Sequence, residues 1–277
     1  MKIGLALGGG GARGLAHIPM LEAFDELGLK PSMIAGCSMG ALVGSAYAGG
    51  MSGRDLRDHA LSLLSNRMTM ARHVFGAKGG RFSNILSIKG LMSMQLEGRK
   101  LADIALPDHL PQMLEELAIP MKVIVTDYER MEEVVLQQGN IHEAVGASIA
   151  IPGLISAPLI NGRIHVDGGV KNPVPFNHVT TGMDLVVAID VTGRPRPRAK
   201  SHPTNLELAI GSLLIMFHEL ADLRRAQMPP DIYITPDIER FNAGDYFKAK
   251  EMFLDAEPAK ERLKRALELR VTAKDQA

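Results

Sequence analysis

A serine with glycine two positions away on each side, Gly36-Cys37-Ser38-Met39-Gly40, is the stretch of this chain best suited to chemistry. An apolar run at 33–35 precedes it and an Ala/Gly-rich run at 41–48 follows. Strand, tight turn and helix is the setting in which G-x-S-x-G presents a nucleophile. The strained turn exposes the hydroxyl, and Gly36 and Gly40 remove the Cβ atoms that would strike the neighbouring strand or helix. The first amides of the helix then point to the space beside the serine, where an oxyanion would develop. A glycine-rich turn that only packs a helix on a sheet would read the same, so the serine has to be judged by its partners.

Two further clusters supply partners. Gly8-Gly9-Gly10-Gly11-Ala12-Arg13-Gly14 follows an apolar run at 2–7 and satisfies G-x-G-x-x-G as Gly9, Gly11 and Gly14. A dinucleotide site also needs an acidic residue about 20 positions on, at the end of the second strand, but that strand ends in Gly36-Cys37-Ser38. No Gly-Lys-Ser/Thr closes the run as a P-loop would require. What remains is a nest of backbone amides with Arg13 beside it, suited to an anionic oxygen. Oxyanion hole, phosphate site and structural turn all stay open. The second cluster, Asp167-Gly168-Gly169, ends a short strand at 163–166. A carboxylate there is placed either to take a proton from a nucleophile or to cap its own turn. His17, His165 and His178 lie near these clusters and offer a triad as the alternative.

The elements that must position these groups follow from periodicity. Residues 2–7, 121–126 and 184–191 are apolar runs without alternation, the pattern of parallel strands covered on both faces. Helical spacing at 15–27, closed by Gly28, joins the first run to the elbow strand, so residues 2–35 form one βαβ unit. A right-handed crossover of that length brings the glycine loop and Ser38 to the same carboxyl edge. Residues 132–136 are expected to pair with 121–126 as an edge hairpin, 141–150 to form a helix stopped by Pro152, and Asn161-Gly162 to turn into the Asp167 strand. A long helix at 206–227, a short strand at 232–235 and a helical tail at 245–269, interrupted near Pro258, complete the chain. Between 51 and 106 glycines break short helical pieces among scattered Met and Phe, as in a lid over a substrate site or as plain core filler. The basic, proline-rich stretch at 194–203 reads as solvated linker or as contact with an anionic lipid surface. No boundary divides residues 1–277, so a single domain is expected, with 204–277 its helical C-terminal part.

Composition narrows the function classes. At 277 residues, 46% hydrophobic and 22% charged with a formal net charge of zero, the chain is ordinary globular protein without a global attraction to nucleic acid or bilayer. Cys37 is its one cysteine, which excludes an intrachain disulfide and a cysteine metal site and fits a reducing compartment. No signal-peptide pattern and no run of about 18 apolar residues is present. The expectation is a cytoplasmic protein, at most peripherally bound to membrane, with no cofactor, no metal and no nucleic acid.

The three clusters, Gly9-Gly10-Gly11-Ala12-Arg13-Gly14, Gly36-Cys37-Ser38-Met39-Gly40 and Asp167-Gly168-Gly169, occur in the order and spacing of the patatin-like phospholipases. With Ala150-Ile151-Pro152-Gly153 and Asn172-Pro173-Val174-Pro175, the chain resembles that family over residues 2–191, and most of all its short bacterial branch of RssA type. The resemblance implies a three-layer α/β fold with a central, mostly parallel sheet flanked by helices. It also implies hydrolysis of lipid acyl esters by a Ser/Asp dyad, with Ser38 the nucleophile, Asp167 the base and Gly9, Gly10, Gly11 and Arg13 the oxyanion loop. Gly8 departs from the plant members, which carry Asp there. An esterase or thioesterase for small acyl groups, or a non-catalytic anion-binding module on the same fold, is the alternative.

Overall fold

Ile3, Leu5 and Leu7 of the strand Ile3–Leu7 (β1) enter one apolar core, while Ala6 enters a second on the opposite face of the sheet. A strand buried on both faces has no polar side to show, which accounts for the missing alternation. The structure is a computed structural model that describes residues 1–65, 96–193 and 204–275. Met33–Cys37 (β2) lies parallel to β1, with Leu7 opposite Gly36, so the glycine loop and the elbow leave adjacent strands at one edge. Leu185–Ile189 (β9) flanks β1 on its other side, Ile232–Ile234 (β10) lies beyond it, and Met121–Asp127 (β4) pairs parallel with β2.

Beyond β4 the sheet becomes antiparallel. Glu132–Leu136 (β5) and Arg163–Asp167 (β8) both pair antiparallel with β4, and Leu159–Ile160 (β7) pairs with β8. Since β5 pairs with β4 from Val123 to Asp127, it fills one edge of β4 there and leaves the other to β2 and β8 in turn. β2 takes that edge as far as Ile124, opposite Cys37, and β8 begins at Val125, opposite Asp167. The end of the serine strand and the end of the aspartate strand therefore meet at consecutive residues of one neighbour. Leu96–Glu97 (β3) and Ile155–Ser156 (β6) form a separate two-stranded piece.

Helices close both faces. The larger core is built by His17–Glu26 (α1), Met39–Ala48 (α2), Gly53–Leu64 (α3), Gly98–Ala105 (α4), Ile141–Ser148 (α5) and Ala249–Asp275 (α7). The smaller one gathers Val174, Phe176 and Val179 with Ala221 of Asn205–Gln227 (α6), and Phe176 meets Tyr233 edge-on. The result is the expected three-layer α/β architecture on a mixed, mainly parallel sheet.

Two expected boundaries move. α5 ends at Ser148, two residues early, and α7 runs unbroken through Pro258. Proline removes only the bond to the carbonyl of Leu254, whose residue is 71% exposed, so water can satisfy that group while Ala256, Ala259, Leu263 and Leu267 stay buried. Residues 66–95, the middle of the expected lid, lie outside the described residues, as does the basic stretch at 194–203. The flanks of the 51–106 stretch belong to the body of the fold, since Leu56, Ala60 and Ala102 are in the main core.

Candidate active site

Ser38 sits in the turn between β2 and α2 with φ 53° and ψ −122°, a backbone state that a residue with a Cβ adopts only under constraint. The constraint is visible. A Cβ on Gly40 would stand 2.1 Å from the carbonyl oxygen of Leu7, and one on Gly36 2.5 Å from that of Gly40, so the helix is pressed against the strand ends. Gly14 is pressed in the same way on the Cβ of Met39. The Ser38 amide donates to Ser148 Oγ at 2.8 Å, and Ser148 Oγ donates to the Ile124 carbonyl at 2.6 Å. A buried hydroxyl thus ties the strained turn to β4.

Asp167 ends β8 with no exposed surface. Its Oδ1 accepts the Gly169 amide at 2.7 Å and faces the Cys37 thiol at 3.7 Å, while Oδ2 is buried without a hydrogen-bond partner. Burial pushes the carboxyl up to about 6, against the pull of the Gly169 amide, the Ser38 hydroxyl and the Cys37 thiol. The Ser38 hydroxyl is therefore within electrostatic reach of Asp167, although it does not meet hydrogen-bond geometry with Oδ2. Gly168 and Gly169 let the turn pack closely. A Cβ at 168 would lie 2.2 Å from the Ile124 carbonyl oxygen, and one at 169 would lie 2.4 Å from the Phe217 ring of α6. The Cys37 thiol, buried beside this carboxylate, is raised well above its ordinary range and stays protonated.

Some amides of the glycine loop donate to carbonyls and others do not. Gly8 donates to Ile189, Gly9 to Pro173 and Ala12 to Ala243, each to a carbonyl. The amides of Gly10, Gly11 and Met39 have no hydrogen-bond partner among the described residues. Gly9 lies closest to the serine, where an added Cβ would be 3.1 Å from that of Ser38. Arg13, expected to line the oxyanion loop, turns elsewhere. Its buried guanidinium donates to the Thr192 carbonyl, and burial lowers it to about 10 against the attraction of Asp190. Arg13 therefore ties the loop to the end of β9.

Each of the three motif histidines bonds a group other than Ser38 or Asp167. His17 is fully buried, lowered to about 4 by burial, and donates from Nε2 to the Gly8 carbonyl at 2.7 Å, so a neutral imidazole braces the loop at Gly8. His165 Nδ1 bonds the Arg163 carbonyl at 2.9 Å, and His178 pairs with Glu133. Among the described residues no cluster of three His, Cys, Asp or Glu could hold a metal ion.

The motifs gave no sign of Ser148, His17 as a brace, or Tyr246. Tyr246 comes from the C-terminal part, and its phenol is raised to about 12 by burial and by the charge of Asp167. Ser148 stands two residues before Ala150-Ile151-Pro152-Gly153, so that block pointed to its neighbourhood but not to its bond with the Ser38 amide.

Several known proteins are similar to this chain. An uncharacterised NTE family protein of Mycobacterium tuberculosis is 34% identical over 206 residues, covering 74% of this chain and 53% of its own length. The lysophospholipase NTE1 of Kluyveromyces lactis is 25% identical over 275 residues, covering 91% of this chain and 18% of its own. This chain thus spans about half the length of the mycobacterial relatives it matches. The crystal structure of VipD from Legionella pneumophila shares the fold with a TM-score of 0.50 at 15% identity, covering 96% of this chain and 66% of that one. The family model for patatin-like phospholipase matches residues 5–180, which include the glycine loop, the elbow and the aspartate turn, and the chain belongs to that family.

Proposed function

We propose that this protein is a lipid acyl hydrolase that cleaves carboxylic esters of phospholipids or related lipids with a Ser38/Asp167 dyad. The observation that carries the reading is the division of labour within one carboxylate: Oδ1 is anchored by the Gly169 amide, while Oδ2 is buried, unpartnered and beside the serine turn. Raised to about 6, that carboxylate is still mostly ionised at neutral pH and is a stronger base than a hydrated aspartate. Oδ2 takes the Ser38 proton as Oγ attacks the ester carbonyl. The oxyanion accepts from the free amides of Gly10 and Gly11, joined by Met39 at the start of α2. Asp167 then returns the proton to the leaving alcohol and, in the second half, takes one from the water that frees the acyl group. Gly9 and Arg13 shape this loop and do not donate to the oxyanion.

The whole chain acts as one domain of the family's short bacterial, RssA-type branch, working in the cytoplasm at the surface of membranes. Among the described residues no helix is long and apolar enough to cross one. The test is labelling by a fluorophosphonate together with hydrolysis of a panel of lipid and short-chain esters, wild type against Ser38→Ala. Labelling at Ser38 and loss of hydrolysis in the variant are expected. Turnover that survives the removal of Ser38 refutes the dyad, and an unlabelled Ser38 without turnover leaves an anion-binding module on this fold.

A further inference from the structure

A helix normally buries the apolar part of its surface. α6 does not. From Asn205 to Met216 its sequence holds one charged residue, Glu207, and seven large or medium apolar ones, yet among the described residues of the helix only Phe217 and Ala221 are buried. These two define the inward side. Phe217 packs on Gly169 of the aspartate turn and Ala221 enters the smaller core. The side facing away carries Leu208, Ile215, Met216 and Leu223, which are 52%, 46%, 59% and 60% exposed. They recur at intervals of seven and eight residues, so they form one stripe along the helix. Leu206, 42% exposed at the N-terminal end, lies instead on the Phe217 side of the helix, near Gly153.

We propose that this stripe is the surface by which the protein settles on an anionic lipid bilayer. The inference extends the acyl-hydrolase reading by naming where the substrate-bearing surface meets the molecule, and it rests on that reading to that extent. Three observations select lipid as the occupant. First, the stripe alternates: Ser212 and Glu219 fall between its apolar residues. A helix of a second copy would have to desolvate those groups at every other layer of a seam, whereas a helix lying in the headgroup region keeps them hydrated and dips only its apolar side chains. Second, the sequence just before the helix carries Arg194, Arg196, Arg198 and Lys200 with no acidic residue among them, the charge that an anionic leaflet attracts. Third, the opposite side of the same helix supports the turn that carries Asp167, so docking through the stripe holds the aspartate turn one helix thickness, about 10 Å, from the bilayer surface.

The test uses the full chain with Ser38→Ala, so that vesicles stay intact, and measures co-sedimentation with phosphatidylcholine vesicles with and without phosphatidylglycerol. The parent is expected to bind the anionic vesicles and to bind the neutral ones more weakly. Leu208→Ser, Ile215→Ser and Met216→Ser together are expected to lower that binding at least about tenfold, with circular dichroism and thermal unfolding unchanged. Failure of the parent to bind, no preference for anionic vesicles, or a smaller loss in the triple variant overturns the proposal. So does a concentration-dependent dimer that the triple variant abolishes, which would make a second copy the occupant. Hydrolysis of a soluble short-chain ester by the triple variant with Ser38 intact reports separately on the acyl-hydrolase reading, because that substrate needs no bilayer.

Discussion

Replacing Asp167 by asparagine should make the protein more stable at neutral and alkaline pH while removing its activity. The carboxyl has no exposed surface and stands at about 6 in the fold, against 3.8 for an ordinary aspartate. Its folded form therefore holds the proton to higher pH than its unfolded form. The stability it contributes is full below about 3.8 and is lost as pH rises through about 6. A tenfold change in an equilibrium constant is about 1.4 kcal/mol, so the ionised carboxylate destabilises the native state by about 3 kcal/mol at pH 8. Asparagine keeps an oxygen for the Gly169 amide and carries no charge, but it must place an NH2 where Oδ2 was left without a partner. Allowing for that loss, a net gain of about 1–3 kcal/mol is expected at pH 8 and none at pH 4. Urea unfolding of both proteins at the two pH values measures it. An Asn variant less stable than wild type at pH 8, or a difference that does not change between pH 4 and pH 8, refutes the claim that this carboxylate is buried at a cost.

Four further outcomes follow from the same geometry. Ser38→Ala, Asp167→Asn and the double variant should lose turnover to within about tenfold of one another, because both residues serve one proton transfer; a double variant slower by several more orders of magnitude would separate their roles. The acid limb of kcat/KM should fall near pH 6, and activity should drop as pH falls through it. His17→Ala, His165→Ala and His178→Ala should leave that limb in place, and its disappearance in any folded one of them would put a histidine in the mechanism. Ser148→Ala leaves the Ser38 amide and the Ile124 carbonyl unpaired and should cost about 1–3 kcal/mol of stability. Its kcat should fall with KM little changed, and a fall in stability with kcat intact would make Ser148 structural only. Cys37→Ser puts a stronger donor beside Oδ1 and should move the acid limb below pH 6 and slow turnover; an upward move would contradict the arrangement around Asp167.

Much of this was legible in the sequence, and what was not has identifiable causes. The strands at 3–7, 33–37, 121–127 and 185–189 were readable because full burial on two faces demands unbroken apolar runs. The neighbourhood of the glycine loop and the elbow followed from the handedness of one crossover, and Leu7 does pair opposite Gly36. The approach of Asp167 to Ser38 was not derivable that way. It depends on β8 taking up the edge of β4 where β2 leaves off, a long-range pairing with no local signature. Arg13 misled for a related reason. A basic residue beside an amide nest suggests anion binding, but its direction is set by the Thr192 carbonyl and Asp190, some 180 residues on in the chain. Pro258 misled because a local rule was applied where exposure of Leu254 removes most of its penalty.

The burial that raises Asp167 acts twice through one free energy. In the proposed dyad, the same desolvation that makes the ionised carboxylate unfavourable in the fold strengthens it as a base for the Ser38 proton, so about 3 kcal/mol lost to stability at neutral pH is about 3 kcal/mol gained in basicity. That bounds how far a dyad can go without histidine. Pushing the carboxyl above 7 would strengthen each ionised base but leave fewer of them ionised at neutral pH, while the fold would lose more stability. A value near 6 keeps the ionised fraction high, and the rest of the barrier must fall to groups that carry no charge of their own. In the proposed mechanism the free amides of Gly10 and Gly11 fill that role, because an oxyanion donor is commonly worth roughly 3–4 kcal/mol and a backbone amide does not titrate. The bracing of the loop by His17, Arg13, Pro173 and Ile189 then has a chemical reason: with a base of limited strength, amides that had to reorganise during the reaction would forfeit the stabilisation the dyad lacks.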